Sequence, residues 1–151
     1  MIYDFYKYRN INDFDNIKKI LLDISDKFKV VLIFLDREEA YSKNLINSSA
    51  SCGSYVYVGV YDNLDLLIAS FFHEMGHVLT NRTRYSDNSL KFHCELEAWN
   101  KGLSLGLQYG YYIRPDTYKY CMNKYLYTYI NIEKREDKNF IYTDTYKYFF
   151  K

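Results

Sequence analysis

The residues Phe72-His73-Glu74-Met75-Gly76-His77 set two histidines four positions apart, with a glutamate directly after the first. On an α-helix each residue advances about 100°, so the two imidazoles fall about 40° apart on one face, one turn from each other. Both can reach a single ion. Neutral imidazole nitrogens hold Zn2+ at about 2.0 to 2.1 Å, and a catalytic zinc site adds a third protein ligand while keeping one position for water. Glu74, about 100° round the helix from His73, can reach such a water but is poorly placed to ligate beside both histidines. It is read as a general base that activates the water, and not as a ligand.

That chemistry needs a helix, and the surrounding residues support one. Leu67, Ile68, Phe71, Val78 and Leu79 lie within about 60° of the direction opposite the histidines, so the core takes one side and the metal the other. The spacing predicts a helix from about Leu64 to Asn81, with Asp62-Asn63-Leu64-Asp65 as turn and cap. A further helix is expected from about Ser89 to Leu107, carrying Phe92, Leu96, Trp99, Leu103 and Leu107 at spacings of three and four. Its early residues His93, Cys94, Glu95 and Glu97 offer the third ligand. Measured from the apolar stripe, Glu95 and Glu97 project to opposite flanks, about 160° apart, so only one of them can face the metal. Cys94 reads as core packing before zinc thiolate, and Asn100 or Asp87 could orient an imidazole from behind.

Around this pair the chain offers supporting elements. Phe14, Ile17, Ile20, Leu21, Ile24 and Phe28 predict an amphipathic helix over 12–28, with Asp13 as its cap. Lys29 to Leu35 is a continuous apolar run, read as a strand covered on both faces. Residues 36–52 are polar and read as a loop or flap. From Ser54 to Tyr61 valines alternate with tyrosines around Gly59, the pattern of a half-exposed strand at a sheet edge, along which a peptide could add itself. Asp116 to Ile132 reads as a last helix with Met122, Tyr125, Tyr129 and Ile132 on one side, and Phe140 to Phe150 as an aromatic tail without a clear period.

Composition excludes several classes. The chain has 151 residues, 48% of them apolar, which is material for one domain over residues 1–151 and argues against disorder. A net charge of +1 gives no general attraction to nucleic acid or to an anionic membrane, and the mixed run Glu133 to Lys138 reads as solvated surface. Cys52, Cys94 and Cys121 form no C-x-x-C pair, and no basic start with an apolar stretch opens the chain, so a reducing cytoplasmic setting is expected. The nineteen tyrosines accompany abundant Asn, Ile, Lys and Phe and scarce Pro and Ala, a bias that follows A/T-rich codons.

Across residues 54–107 the strand Tyr55-Val56-Tyr57-Val58, the helix His73-Glu74-Met75-Gly76-His77-Val78-Leu79 and the segment Glu95-Leu96-Glu97-Ala98-Trp99 resemble zinc metallopeptidases of the gluzincin type, in particular the ImmA/IrrE-like and phage-encoded ones. The resemblance implies an α+β zincin-like domain, with a short mixed or antiparallel sheet packed against the active-site helix. It also implies a third ligand on a glutamate directly followed by alanine, which here is Glu97. The expected set is thus Zn2+ on His73, His77 and Glu97, with Glu74 as catalytic base of a metalloendopeptidase acting on a protein or peptide. Thr80 and Asn81 replace the continuation that metzincins require, and no helix-turn-helix is evident. The rival expectation is a zinc-containing, phage-encoded anti-defence protein that works by binding a host or regulatory protein without turnover.

Overall fold

The structure, a computed structural model, describes residues 2–8, 10–80 and 88–126, with the backbone alone for 88–92. Two short 3-10 turns, Phe5–Lys7 and Ile11–Asp13, precede helix α1 at Phe14–Lys27. The Asn10 side chain accepts from the Asn12 amide at 3.1 Å, while Asp13, expected as the cap, makes no side-chain capping bond to α1. Its carboxylate instead accepts from the Asn10 amide, so the two close a box around the preceding turn. Ile17, Leu21 and Ile24 are buried on one face, as their spacing requires. Lys29, in the left-handed region at φ 57°, turns the chain out of the helix.

Strand β1 (Val31–Phe34), helix α2 (Arg37–Ser42), β2 (Ser49–Cys52) and β3 (Tyr55–Val58) follow. The sheet order is β1-β3-β2, with β3 parallel to β1 and antiparallel to β2, which makes it a small mixed sheet. Three expectations are corrected here. The Ser54–Tyr61 segment holds the central strand, not an edge; Val56 and Val58 are fully buried while Tyr55 stays exposed. The run at 29–35 is an edge strand whose Val31 is exposed, so it is not covered on both faces. Residues 36–52 are no plain loop, since Asp36 and Glu39 box the start of α2 and β2 forms the other edge. Gly59 explains how the chain reaches β2: a Cβ there would lie 2.0 Å from the Leu45 carbonyl oxygen and 2.1 Å from that of Ser48. Only glycine lets the 45–48 segment press against the end of β3.

Helix α3 runs Leu64–Thr80 behind the sheet, packed on β2 and β3, and its start is capped by Asn63, whose side chain accepts from the Leu66 amide at 3.2 Å. Leu67, Ile68 and Phe71 are buried as expected, but so is nearly every residue from Leu66 to Gly76, including His73 and Glu74. The helix is therefore central and not amphipathic. Helix α4 (Asn88–Gln108) crosses it, and Gly110 at φ 93° and Pro115 at the first turn frame helix α5, Pro115–Cys121. A π-helical turn, Met122–Leu126, continues α5 directly. Tyr129, Ile132, the run 133–138, the tail 140–150 and Asp87 lie outside the described residues. The whole is α+β, with one hydrophobic core joining α1, β3, α3, α4, α5 and the N-terminal Phe5.

Candidate metal centre

Ser70, His73, Glu74 and His77 share one face of α3, a polar stripe along an otherwise apolar helix. His73, Glu74 and His77 place ligand atoms all within 4.8 Å of one another. The imidazole rings of His73 and His77 stand 4.6 Å apart and nearly perpendicular, both presenting Nε2 to the same carboxylate. That carboxylate belongs to Glu95: its Oε2 is 2.9 Å from His73 Nε2 and its Oε1 is 3.1 Å from His77 Nε2. The Glu74 oxygen is farther off, 3.9 Å from His73 Nε2.

Glu97, the expected third ligand, does not line this site. The reason is how α4 meets α3. A Cβ on Gly76 would lie 1.9 Å from the Ala98 carbonyl oxygen, and one on Gly102 would lie 2.0 Å from that of Phe72. The contact line of α4 thus runs through Ala98 and Gly102, small residues four apart that let two backbones touch. Glu95 lies about 20° to 60° from that line and Glu97 about 100° to 140° from it, so the helix turns Glu95 to the histidines and Glu97 to a flank. Measuring from the large apolar residues leaves the two glutamates on opposite flanks without choosing between them, and it is the Glu-Ala pair of the resemblance that points to Glu97. The signal that would have found Glu95 is the four-residue repeat of small residues.

A cavity of about 200 Å3 opens over the cluster, walled by Ser48 and Ser49 from β2 and its approach, Ser70, His73 and Glu74 from α3, Glu95 and Trp99 from α4, and Lys124 and Tyr125 from the π-turn. Trp99 is fully buried and stacks on His73, with ring centroids 4.1 Å apart and planes 18° apart. Its indole fixes the orientation of that imidazole; neither the Trp99 Nε1 nor the His73 Nδ1 has a hydrogen-bond partner among the described residues. Beneath Glu74, the Tyr61 hydroxyl lies 2.7 Å from the Ser49 Oγ. Burial first, and to a lesser degree Tyr125 and then the Glu74 charge, push that phenol well above its ordinary range while hydrogen bonds to Ser49 and Ser70 pull the other way. Burial would raise the Glu95 carboxyl too, but hydrogen bonds from His73 and His77 and their charges outweigh it and hold it down to about 2.

The chain matches no family model, no curated relative and no solved structure. Of the remaining candidates, Cys94 is buried and His93 and Asn100 are exposed, and none of the three walls the cavity. Of the other cavity residues, nothing in the sequence marks Ser48, Ser49 or Lys124, and the helical spacing gives Tyr125 only a place on the apolar side of the last helix. Tyr125 spends its hydroxyl on the Asn47 carbonyl at 2.6 Å, tying the π-turn to the approach of β2.

The donor set suits a divalent cation. Two imidazole nitrogens and a carboxylate converge, and the carboxylate accepts from both rings. A dication would replace those two protons as the positive partner of the same three groups. No helix among the described residues is long and apolar enough to cross a membrane.

Proposed function

We propose that this protein is a zinc-dependent peptidase, with His73, His77 and Glu95 as ligands and Glu74 as the group that carries the proton. The observation behind this reading is the Glu95 carboxylate, one oxygen at 2.9 Å from His73 and the other at 3.1 Å from His77, beside a glutamate that makes no such bridge. A zinc ion bound there would act as a Lewis acid toward a peptide carbonyl and make a neighbouring water easier to deprotonate. Glu74, nearly buried in the cavity wall, takes the proton from the water and returns it to the leaving nitrogen. Trp99 holds the His73 ring in place through both steps. The substrate lies along the outer side of β2, which no described strand pairs and which borders the cavity at Ser49; β3 has a strand on both sides and offers no room.

Glu74→Gln keeps the shape and removes the base. Zinc content equal to wild type with cleavage of an unstructured protein lost at least 100-fold is the expected result, in the range of general base catalysis at about 10^2 to 10^4. Equal zinc with no cleavage by either protein would instead favour a zinc-containing binding protein, and no zinc in either would remove both readings.

A further inference from the structure

The cavity wall is acidic at its base, where Glu74 and Glu95 lie, and carries one lysine and no arginine, Lys124. That side chain is exposed, yet it is held. Its Nζ donates to the Tyr120 hydroxyl at 3.0 Å and lies over two rings, 5.4 Å from the centre of Tyr120 and 5.1 Å from that of Tyr125. Among the described residues no carboxylate pairs with it, and phenols position its charge. The π-turn is what brings Lys124 and Tyr125 to the cavity, and Tyr125 fixes the turn through its bond to Asn47. A lysine serving only solubility needs none of this.

We propose that Lys124 is a specificity determinant that receives a carboxylate of the bound peptide, either an acidic side chain or the chain terminus, next to the reacting bond. The position next to a reacting bond rests on the peptidase reading; the anion site itself does not. The hydrogen bond to Tyr120, and the interactions with Tyr125, raise the affinity of the amine for its proton, so the group stays an ammonium through the neutral range. An anion placed elsewhere in the cavity would meet Glu74 and Glu95 without compensation.

The test uses the full chain, with and without added zinc, and short neutral peptides in which one glutamate or glutamine is walked along the sequence and the C-terminus is free or amidated. Binding is read by fluorescence anisotropy and cleavage by mass spectrometry, for wild type, Lys124→Met, Lys124→Glu, Lys124→Arg and Glu74→Gln. At one position the carboxylate peptide should bind about fivefold tighter than its neutral counterpart, the scale of a partly exposed ion pair. Lys124→Arg should keep that preference, Lys124→Met should lose it, and Lys124→Glu should reverse it toward a lysine peptide. Loss of the preference on amidation alone identifies the chain terminus as the anion; persistence with a walked glutamate identifies a side chain. Equal binding of both peptides by wild type, no binding of any peptide, or a preference that survives Lys124→Glu overturns the proposal even where cleavage occurs. A Lys124-dependent preference in peptides that zinc-loaded wild type never cuts supports the anion site and counts against the peptidase reading instead.

Discussion

Glu95 and Glu97 stand two residues apart on one helix and have different surroundings. Glu95 reaches both imidazoles and keeps its charge because each ring donates to it, whereas Glu97 stands on the flank of α4 away from the cavity. A neutral amide at 95 keeps the volume but removes the negative charge that a dication needs. Glu95→Gln should therefore weaken zinc binding by more than about 100-fold, beyond what losing a mere supporting contact costs. Glu97→Gln should leave it within about threefold. Competition against a chromogenic zinc chelator measures both, and a larger loss at 97 than at 95 would restore the ligand set that the likeness to gluzincins implies.

At the scale of elements, the site depends on α3 and α4 touching backbone to backbone, which Gly76, Ala98 and Gly102 permit. In Gly102→Ala the new methyl group would lie 2.0 Å from the Phe72 carbonyl oxygen, one residue before His73, and the helices must separate. Overpacking of this kind costs about 1 to 3 kcal/mol, which at this chain length lowers Tm by roughly 2 to 12 °C. Zinc affinity should fall with it, because Glu95 moves away with α4. Gly106→Ala is the control: its Cβ would meet only the Tyr111 and Phe72 side chains, at 3.2 and 3.3 Å, and both effects should be much smaller. Calorimetry and zinc titration on the two variants decide the matter. The same contact explains what could be read in advance. Periodicity and capping residues locate α1, α3 and α4 within a few residues, and His73, Glu74 and His77 follow from one turn of helix. The facing side of α4 was hidden because Leu96, Trp99, Leu103 and Leu107 outweigh Ala98 and Gly102 in any hydrophobic pattern, although the small residues set the distance. Ser49-Ala50-Ser51-Cys52 holds only small side chains, none β-branched or aromatic, so its composition does not mark a strand; β2 is defined by its pairing with β3, which also makes β3 central. Lys124 and Tyr125 reach the cavity through a π-turn, where the 100° step no longer applies.

At the scale of the whole molecule, the core buries the phenols of Tyr61, Tyr111 and Tyr118, and this makes alkali its weak side. Tyr111 is buried and donates to Asp65 Oδ1 at 2.9 Å and to the Asp65 carbonyl at 3.1 Å, while its ring stacks on Phe72 of α3. Burial, then the Asp65 charge, push its phenol well above the ordinary value of 10.0. Burial likewise raises Tyr61, and lifts the half-buried Tyr6 to about 12 and the Cys121 thiol above its ordinary 9.0. Each of these groups holds its proton more tightly when folded, so its contribution is complete below the unfolded value and drains away as pH rises toward the folded one. The unfolded chain releases the Cys121 proton from about pH 9 and the phenol protons from about pH 10, and each group fully retained by the native state steepens the loss by up to about 1.4 kcal/mol per pH unit. Tyr6, open to solvent on one side, should add less than the others. Against a domain stability of about 5 to 15 kcal/mol, three such groups suffice to unfold the protein within a few units. Tm should thus change little with these groups up to about pH 9, then fall with a slope that increases above 10, and tyrosinate absorbance should rise together with loss of circular dichroism in one transition. Tyr111→Phe, although less stable at neutral pH for want of its bonds to Asp65, should show a shallower fall above pH 10. A Tyr111→Phe slope equal to that of wild type, or tyrosinate appearing well before the fold is lost, would show that water reaches these phenols in the native state and that burial does not protect them.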